Sequence, residues 1–314
     1  MTVVLAPASG RPPLRDRLSD LVVGRPKVLA LVLLAPPLLW LGVVYVGSLA
    51  ALLAQSFFSI DEFTGLVVRE FTLRTYGELF APANFDIIRR TVLMAAAVTL
   101  ACGVIAFPVA WYAARYARGR VKAAFYLAVM LPLWSSYLVR VYAWKLILAK
   151  EGVITYAAAA TGLTPVLDRV LAIPGLGGPS LSVSTLGTFI VFVYLWLPFM
   201  ILPLQAALER VPRSVLEASA DLGAEPRRTF RHVVLPLALP GLAAGSIFTF
   251  SLTLGDYIAP QIVGTSTYYL GQVVYVQQGT AGNIPLAAAF SVVPIVIMGL
   301  YLMVAKRLGA FDAM

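Results

Sequence analysis

Histidine and cysteine supply most proton shuttles, nucleophiles and soft metal ligands, and this chain has one of each, His232 and Cys102. They stand 130 positions apart. No disulfide can close within the chain, and neither a cysteine-based metal site nor histidine acid/base catalysis has enough material. No metal site and no catalytic residue are therefore expected. The residues that remain chemically interesting are charges in apolar surroundings: Arg140, Lys145 and Asp256. A charge at mid-membrane costs roughly 2.5 to 3.5 kcal/mol on insertion scales and marks a functional candidate. Tyr137 and Trp144 share the helical face of Arg140 at i−3 and i+4, and Tyr257 adjoins Asp256. Aromatic faces beside a carboxylate suit an ammonium group.

The elements that must position these residues follow from composition. Of 314 residues 60% are hydrophobic and 12% charged, against about 25% charged in a soluble domain, and the mean hydropathy is +0.86. Six stretches are long and apolar enough to cross a bilayer: 28–54, 91–114, 123–148, 184–208, 241–263 and 286–305. The first is too long for a signal-peptide core. The expected fold is therefore all-α and polytopic.

The net charge of +9 would suit nucleic acid if its cations shared one surface. They lie at helix ends instead. Segments 1–27, 115–122, 209–240 and 306–314 hold 16 of the 24 Lys and Arg, whereas the opposite loops hold six. Basic residues stay inside, so both termini are expected in the cytoplasm, with 55–90 and 149–183 outside. No nucleic-acid partner is expected. The core is drawn as 91–305.

Taken as straight outward-running helices, the spans put Arg140 and Asp256 each eight residues from the outer end, about 12 Å deep at 1.5 Å per residue. Two readings stay open: a buried ion pair that fixes one helix against another, or two charges facing one aqueous cavity. The first predicts that Arg140→Gln/Asp256→Asn is more stable than either single variant.

The segment 209–240 carries the clearest local pattern. Ser214 with Glu217 three residues on reads as a capping box, Ala218, Ser219, Ala220 and Leu222 continue a short helix, and Gly223 can end it in the left-handed region. Glu225-Pro226 opens a second helix with Arg227, Arg228 and Arg231, which Leu235-Pro236 and Pro240 are expected to close. A rigid two-helix knob and an amphipathic loop resting on lipid both satisfy this pattern.

Glu217-Ala218-Ser219-Ala220-Asp221-Leu222-Gly223, nine residues, then Val233-Val234-Leu235-Pro236 resembles the EAA signature of ABC-importer permeases: Glu-Ala-Ala, three residues, Gly, nine residues, Ile-x-Leu-Pro. Ser219 and Val233 replace Ala and Ile. Phe71 to Tyr76, Pro132 to Trp144, Leu197 to Leu204 and Gly255 to Pro260 are similar to the permeases of spermidine/putrescine importers; loop 164–183 is longer and richer in glycine. The resemblance implies the six-helix type I importer permease fold in a bacterial inner membrane. It implies that the helices at about 212–236 dock on an ATPase, with Glu217, Ala218, Ser219, Asp221, Gly223, Leu235 and Pro236 as coupling residues. Implied partners are two ATPase subunits, a second related permease chain, an extracytoplasmic solute-binding protein and the lipid bilayer. ATP and Mg would belong to the ATPase, this chain carrying no cofactor. In agreement, no Lys follows a Gly anywhere, so the phosphate-loop pattern is missing.

The solute implied is a polyamine; iron, thiamine, phosphonate or opine-like solutes are alternatives within the family. Tyr137, Arg140, Trp144, Asp256 and Tyr257 are the candidate pathway residues. A stand-alone secondary transporter or channel is a competing class, but it usually needs several intramembrane acids and only Asp256 is present. Pro108, Pro132, Pro198, Pro203 and Pro294 are expected flexible points, since each removes a helical hydrogen bond.

Overall fold

The computed structural model describes residues 26–61 and 63–307. The basic stretch before Pro26 and residues 308–314 lie outside them. The chain divides into two units, one ending at Gln55 and one beginning at Ser56. The first contains a single helix, α1, formed by Pro26–Leu39, a π-helical stretch Trp40–Val46, and Gly47–Gln55. Its prolines Pro36 and Pro37 lie inside the helix, where each removes a backbone bond.

The second unit opens with a hairpin of β1 (Ser59–Ile60) and β2 (Val67–Val68), which pair antiparallel. The short helix α2 (Arg74–Leu79) follows. Helix α3 (Pro82–Arg115) starts nine residues before the expected span. Pro82 at its first turn is the reason: its fixed φ suits that position and its missing N–H costs nothing there.

The expected span 123–148 is two helices, not one. They are α4 (Gly119–Trp134) and α5 (Tyr137–Ile147), bent by 96° at Ser135 and Ser136. Both serines leave the helical region, with ψ of 152° and 135°. The Ser135 hydroxyl donates to the Pro132 carbonyl at 2.7 Å, replacing the next helical donor and ending the helix. Hydropathy counts apolar residues and is blind to such a turn. The straight-helix premise on which Arg140 and Asp256 were given a common depth does not hold.

Two short helices, α6 (Val153–Ala160) and α7 (Thr164–Leu171), lead to α8 (Thr185–Glu209). The knob consists of α9 (Arg213–Asp221) and α10 (Pro226–Thr229). A π-helical turn, Phe230–Val234, joins α10 to α11 (Leu235–Gly255) without a break. Leu235-Pro236 and Pro240 therefore do not close the second knob helix. Pro236 falls in the first turn of α11, where the preceding wide turn accommodates its ring and absent N–H. The remaining helices are α12 (Ile258–Ile262), α13 (Leu270–Gln278) and α14 (Ile284–Arg307). Helices α1, α3, α8, α10–α11 and α14 are long and apolar enough to cross a membrane, and the α4–α5 pair supplies the sixth such element.

The core is α3, α8 and α11 packed together. The buried stripe of α3 is small: Ala95, Val98, Cys102, Ala106, Ala110 and Ala113 are all fully covered. On α11 the contact is made by glycine. A Cβ at Gly241 would lie 2.5 Å from the Ala207 Cβ, and one at Gly245 would lie 3.0 Å from the Met200 Cα. In lipid, where apolar burial drives little, such close backbone approach supplies helix association by van der Waals contact.

Candidate functional site

The knob is shaped by its backbone. Gly223 has φ +74°, its N–H donates to the Ala220 carbonyl at 2.8 Å, and the Ala224 N–H donates to the Ser219 carbonyl at 3.1 Å. These two bonds are the Schellman arrangement that ends a helix and turns the chain. A Cβ at Gly223 would touch nothing within 4 Å, so glycine is needed for φ and not for space. Glu225 then caps α10, with Pro226 in its first turn. The capping box expected at Ser214 and Glu217 is not formed. Pro212 occupies the cap position without a side-chain bond, so Ser214 already lies within the first turn.

Glu217, Ala218, Asp221 and Gly223 are exposed, and Leu222 at the corner is 88% exposed. Leu216 turns the other way and packs on the core. Ser219, half-buried, bonds Thr229 through their hydroxyls at 2.9 Å, so the substituted position in the motif clips the two knob helices together. Leu235 is half-buried and Pro236 exposed at the start of α11.

The root of the knob is held by residues that the sequence did not single out. Arg115 donates from Nη2 to the Val211 carbonyl at 2.9 Å, and its guanidinium lies 5.2 Å from the Trp111 ring centroid. Glu209, the last residue of α8, accepts from Lys122 at 2.9 Å, Gln205 at 3.0 Å and Tyr126 at 3.1 Å. Phe107 of α3 meets Phe230 of the wide turn edge-on at 5.2 Å. Together α3, α4 and α8 fix the point from which the knob projects. The one available signal was a lone acid, Glu209, at the end of an otherwise apolar stretch.

The second cluster gathers where α11 breaks. Gly255 ends the helix and Asp256 is extended, with ψ 127°, so Asp256 lies beyond α11 rather than inside a continuous span. Its Oδ1 accepts from the N–H of Ile258 at 2.8 Å and of Ala259 at 3.2 Å, which starts α12. Its Oδ2 accepts from the Tyr137 hydroxyl. No ion pair links Asp256 to Arg140 among the described residues. Tyr137 stands between them: the Arg140 guanidinium lies 5.8 Å from the centroid of its ring. Arg140 Nε and Nη1 and Trp196 Nε1 are buried and have no hydrogen-bond partner among the described residues.

The rings expected to face a solute are already engaged within the chain. Tyr137 stacks on Trp196 at 6.1 Å, and Trp144 packs on Tyr194 at 5.1 Å. Tyr257 instead stacks on Tyr275 of α13 at 4.9 Å and 12°. The whole cluster is tied to the start of α8: Thr188 donates to the Val263 carbonyl at 2.9 Å, and the Ser182 N–H to the Leu148 carbonyl at 2.9 Å. The structure thus brings Tyr137, Arg140, Asp256 and Tyr257 to one break and sets Trp144 against Tyr194 of α8 instead.

Comparison with known proteins bears on both clusters. The sequence profile of the family described as "Binding-protein-dependent transport system inner membrane component" matches residues 106–310. The inner membrane ABC transporter permease protein YdcU of Escherichia coli (strain K12) is 61% identical over 282 residues, 90% of this chain and 90% of its own. The spermidine/putrescine transport system permease protein PotB of Escherichia coli (strain K12) is 30% identical over 257 residues, 82% of this chain and 89% of its own. A solved bacterial alginate ABC transporter, in complex with an alginate pentasaccharide-bound periplasmic protein, contains a chain of the same fold. It superposes with TM-score 0.69 at 13% identity, covering 95% of this chain and 97% of that one. The matched profile includes both the knob and the break, and the chain belongs to the family of binding-protein-dependent transport system inner-membrane components, as an ABC importer permease.

Proposed function

We propose that this permease imports a polyamine or a related small cationic solute, and that it works between a motor on the inside and a solute-binding protein on the outside. Two ATPase subunits, which hold ATP and Mg, would engage the knob through Glu217, Ala218, Asp221 and the turn at Leu222–Gly223. A second, related permease chain would complete the pathway. Both termini would lie in the cytoplasm, a placement that the distribution of Lys and Arg supports. The observation that carries this reading is the knob itself: an exposed, backbone-fixed corner on a root braced by Arg115 and Glu209. Such a part moves as one body when pushed. Resemblance to the polyamine permease PotB and the carboxylate at the break support the cationic solute.

The test is uptake of radiolabelled spermidine and putrescine into proteoliposomes holding this chain with its ATPase, second permease and binding protein. ATP-dependent uptake that requires all four is expected. Uptake by this chain alone, or ATPase activity of this chain alone, would overturn the assignment of roles. A second reading rests on the unpartnered Arg140 nitrogens, which suit an acceptor. An opine-like solute would place its amino group near Asp256 and a carboxylate at Arg140. Competition of uptake by an amino-acid conjugate, but not by spermidine, would favour it.

A further inference from the structure

A cavity of about 380 Å³ opens at the C-terminal end of α11, separate from the Asp256 carboxylate and its partners. That volume lies within the range of small-ligand pockets. Its wall includes Gly255, Tyr257, Tyr275, Gln278 and Ser291, and no Lys, Arg or His. Its polar side chains are the hydroxyls of Tyr257, Tyr275 and Ser291 and the amide of Gln278. The Ser291 hydroxyl spends its proton on the Ala287 carbonyl at 2.9 Å, leaving lone pairs only. The last carbonyls of α11 have no backbone N–H cap among the described residues, so the negative end of the helix dipole points at this break.

Aromatic faces complete the set. Tyr257 and Tyr275 stack nearly parallel, and the outer face of such a pair attracts cations. The stack depends on a close approach: a Cβ at Gly271 would lie 2.7 Å from the Gly255 carbonyl oxygen and 2.9 Å from the Asp256 carbonyl carbon. Gly271 lets α13 lie directly on the broken end of α11. One turn later on the same face, Tyr275 then reaches Tyr257.

We propose that this cavity is a binding subsite for an alkylammonium group of the transported solute, held on the Tyr257–Tyr275 stack and by the α11 carbonyls, with Gln278 at its mouth. The proposal rests on the cationic-solute reading above. It adds Tyr275, Gln278 and Ser291 to the pathway and gives the break a cation site beside the Asp256 carboxylate, which is engaged by Tyr137 and the start of α12.

The experiment is spermidine uptake by the full importer in proteoliposomes, at limiting spermidine, with ATPase activity recorded in parallel. Tyr275→Leu is expected to lower uptake about tenfold while Tyr275→Phe, which keeps the ring face, stays within about twofold of the parent. Gln278→Lys, an exposed position that tolerates substitution, is expected to lower uptake about as much as Tyr275→Leu by placing a fixed cation at the mouth. If Tyr275→Leu does not assemble, Gln278→Lys decides. Undiminished uptake in the variants overturns the subsite while leaving the polyamine reading intact. If the parent importer moves no polyamine but another cation, the polyamine reading fails and the same variants are read on that cation. A solute without any ammonium group overturns the subsite.

Discussion

At one end of the α10–α11 helix, the knob is set by main-chain geometry: one left-handed glycine, two backbone bonds at the turn, and a corner of exposed side chains. At the other end, the break is set by side chains. One carboxylate collects a tyrosine hydroxyl and two N–H groups, while rings and a guanidinium stack around it. A surface that must fit a partner keeps its side chains free and fixes its backbone. In the proposed roles, the break that would meet a small solute does the reverse. The two ends should therefore respond differently to the same kind of change.

The largest separation is expected from Gly223→Val. A β-branched residue at φ +74° is strained, so the corner should open and solute-stimulated ATPase should fall by more than about tenfold, each 1.4 kcal/mol being a factor of ten. Gly223→Asn, which tolerates that region, should retain most activity because a side chain there meets nothing within 4 Å. Equal loss in both variants would mean that the corner acts by contact and not by conformation.

Asp256→Ala is expected to do the opposite: solute uptake falls about tenfold while basal ATPase persists, because three accepted hydrogen bonds disappear at the break and none at the knob. Loss of basal ATPase in this variant would erase the distinction. Gly241→Val should remove the distinction deliberately. Its side chain would overlap Ala207 and the Pro203 carbonyl, destabilising the shared core by about 1–3 kcal/mol. A thermal melt should fall, and both activities with it.

Smaller effects sharpen the comparison within each end. Ser219→Ala removes the clip to Thr229 and should lower coupled ATPase about two- to fivefold; no change would mean that the turn at Gly223 alone holds the two knob helices. Last, in the hairpin, the N–H groups of Thr64 and Phe63 hold the Asp61 carboxyl below its ordinary range. A depressed folded value adds stability above the unfolded pKa, and that stability is lost as pH falls through the folded one. Protection of the Thr64 amide, relative to its intrinsic exchange rate, should therefore fall only below about pH 4, and uptake should not follow it.

What could be read beforehand divides along the same line. The knob was legible because a glycine at fixed spacing dictates a backbone conformation by itself. Its clip was not, since nothing in the sequence pairs Ser219 with Thr229. The apolar stretches announced membrane crossings, but hydropathy carries no direction, so the right-angle turn at Ser135–Ser136 and the end of α11 at Gly255 were missed. Local signals for both were present: a hydroxyl three residues after Pro132, and a Gly-Asp pair. Arg140 and Asp256 were singled out as costly charges, yet the tyrosine between them emerges only when α5 has turned. Tyr275 and Gln278 lie on a short helix between two spans, where composition offers no reason to choose them.

The glycine contacts of α11 have a mechanical consequence. From Pro226 to Gly255 the chain is one continuous helix of 30 residues, and Gly241 and Gly245 press it against α8 near its middle. A bar pinned there tips like a seesaw, with arms of about 22 Å and 15 Å at 1.5 Å per residue. When the arm bearing the knob swings one way, the arm ending at Gly255 must swing the other, so a push at the knob and a shift at the break become a single movement.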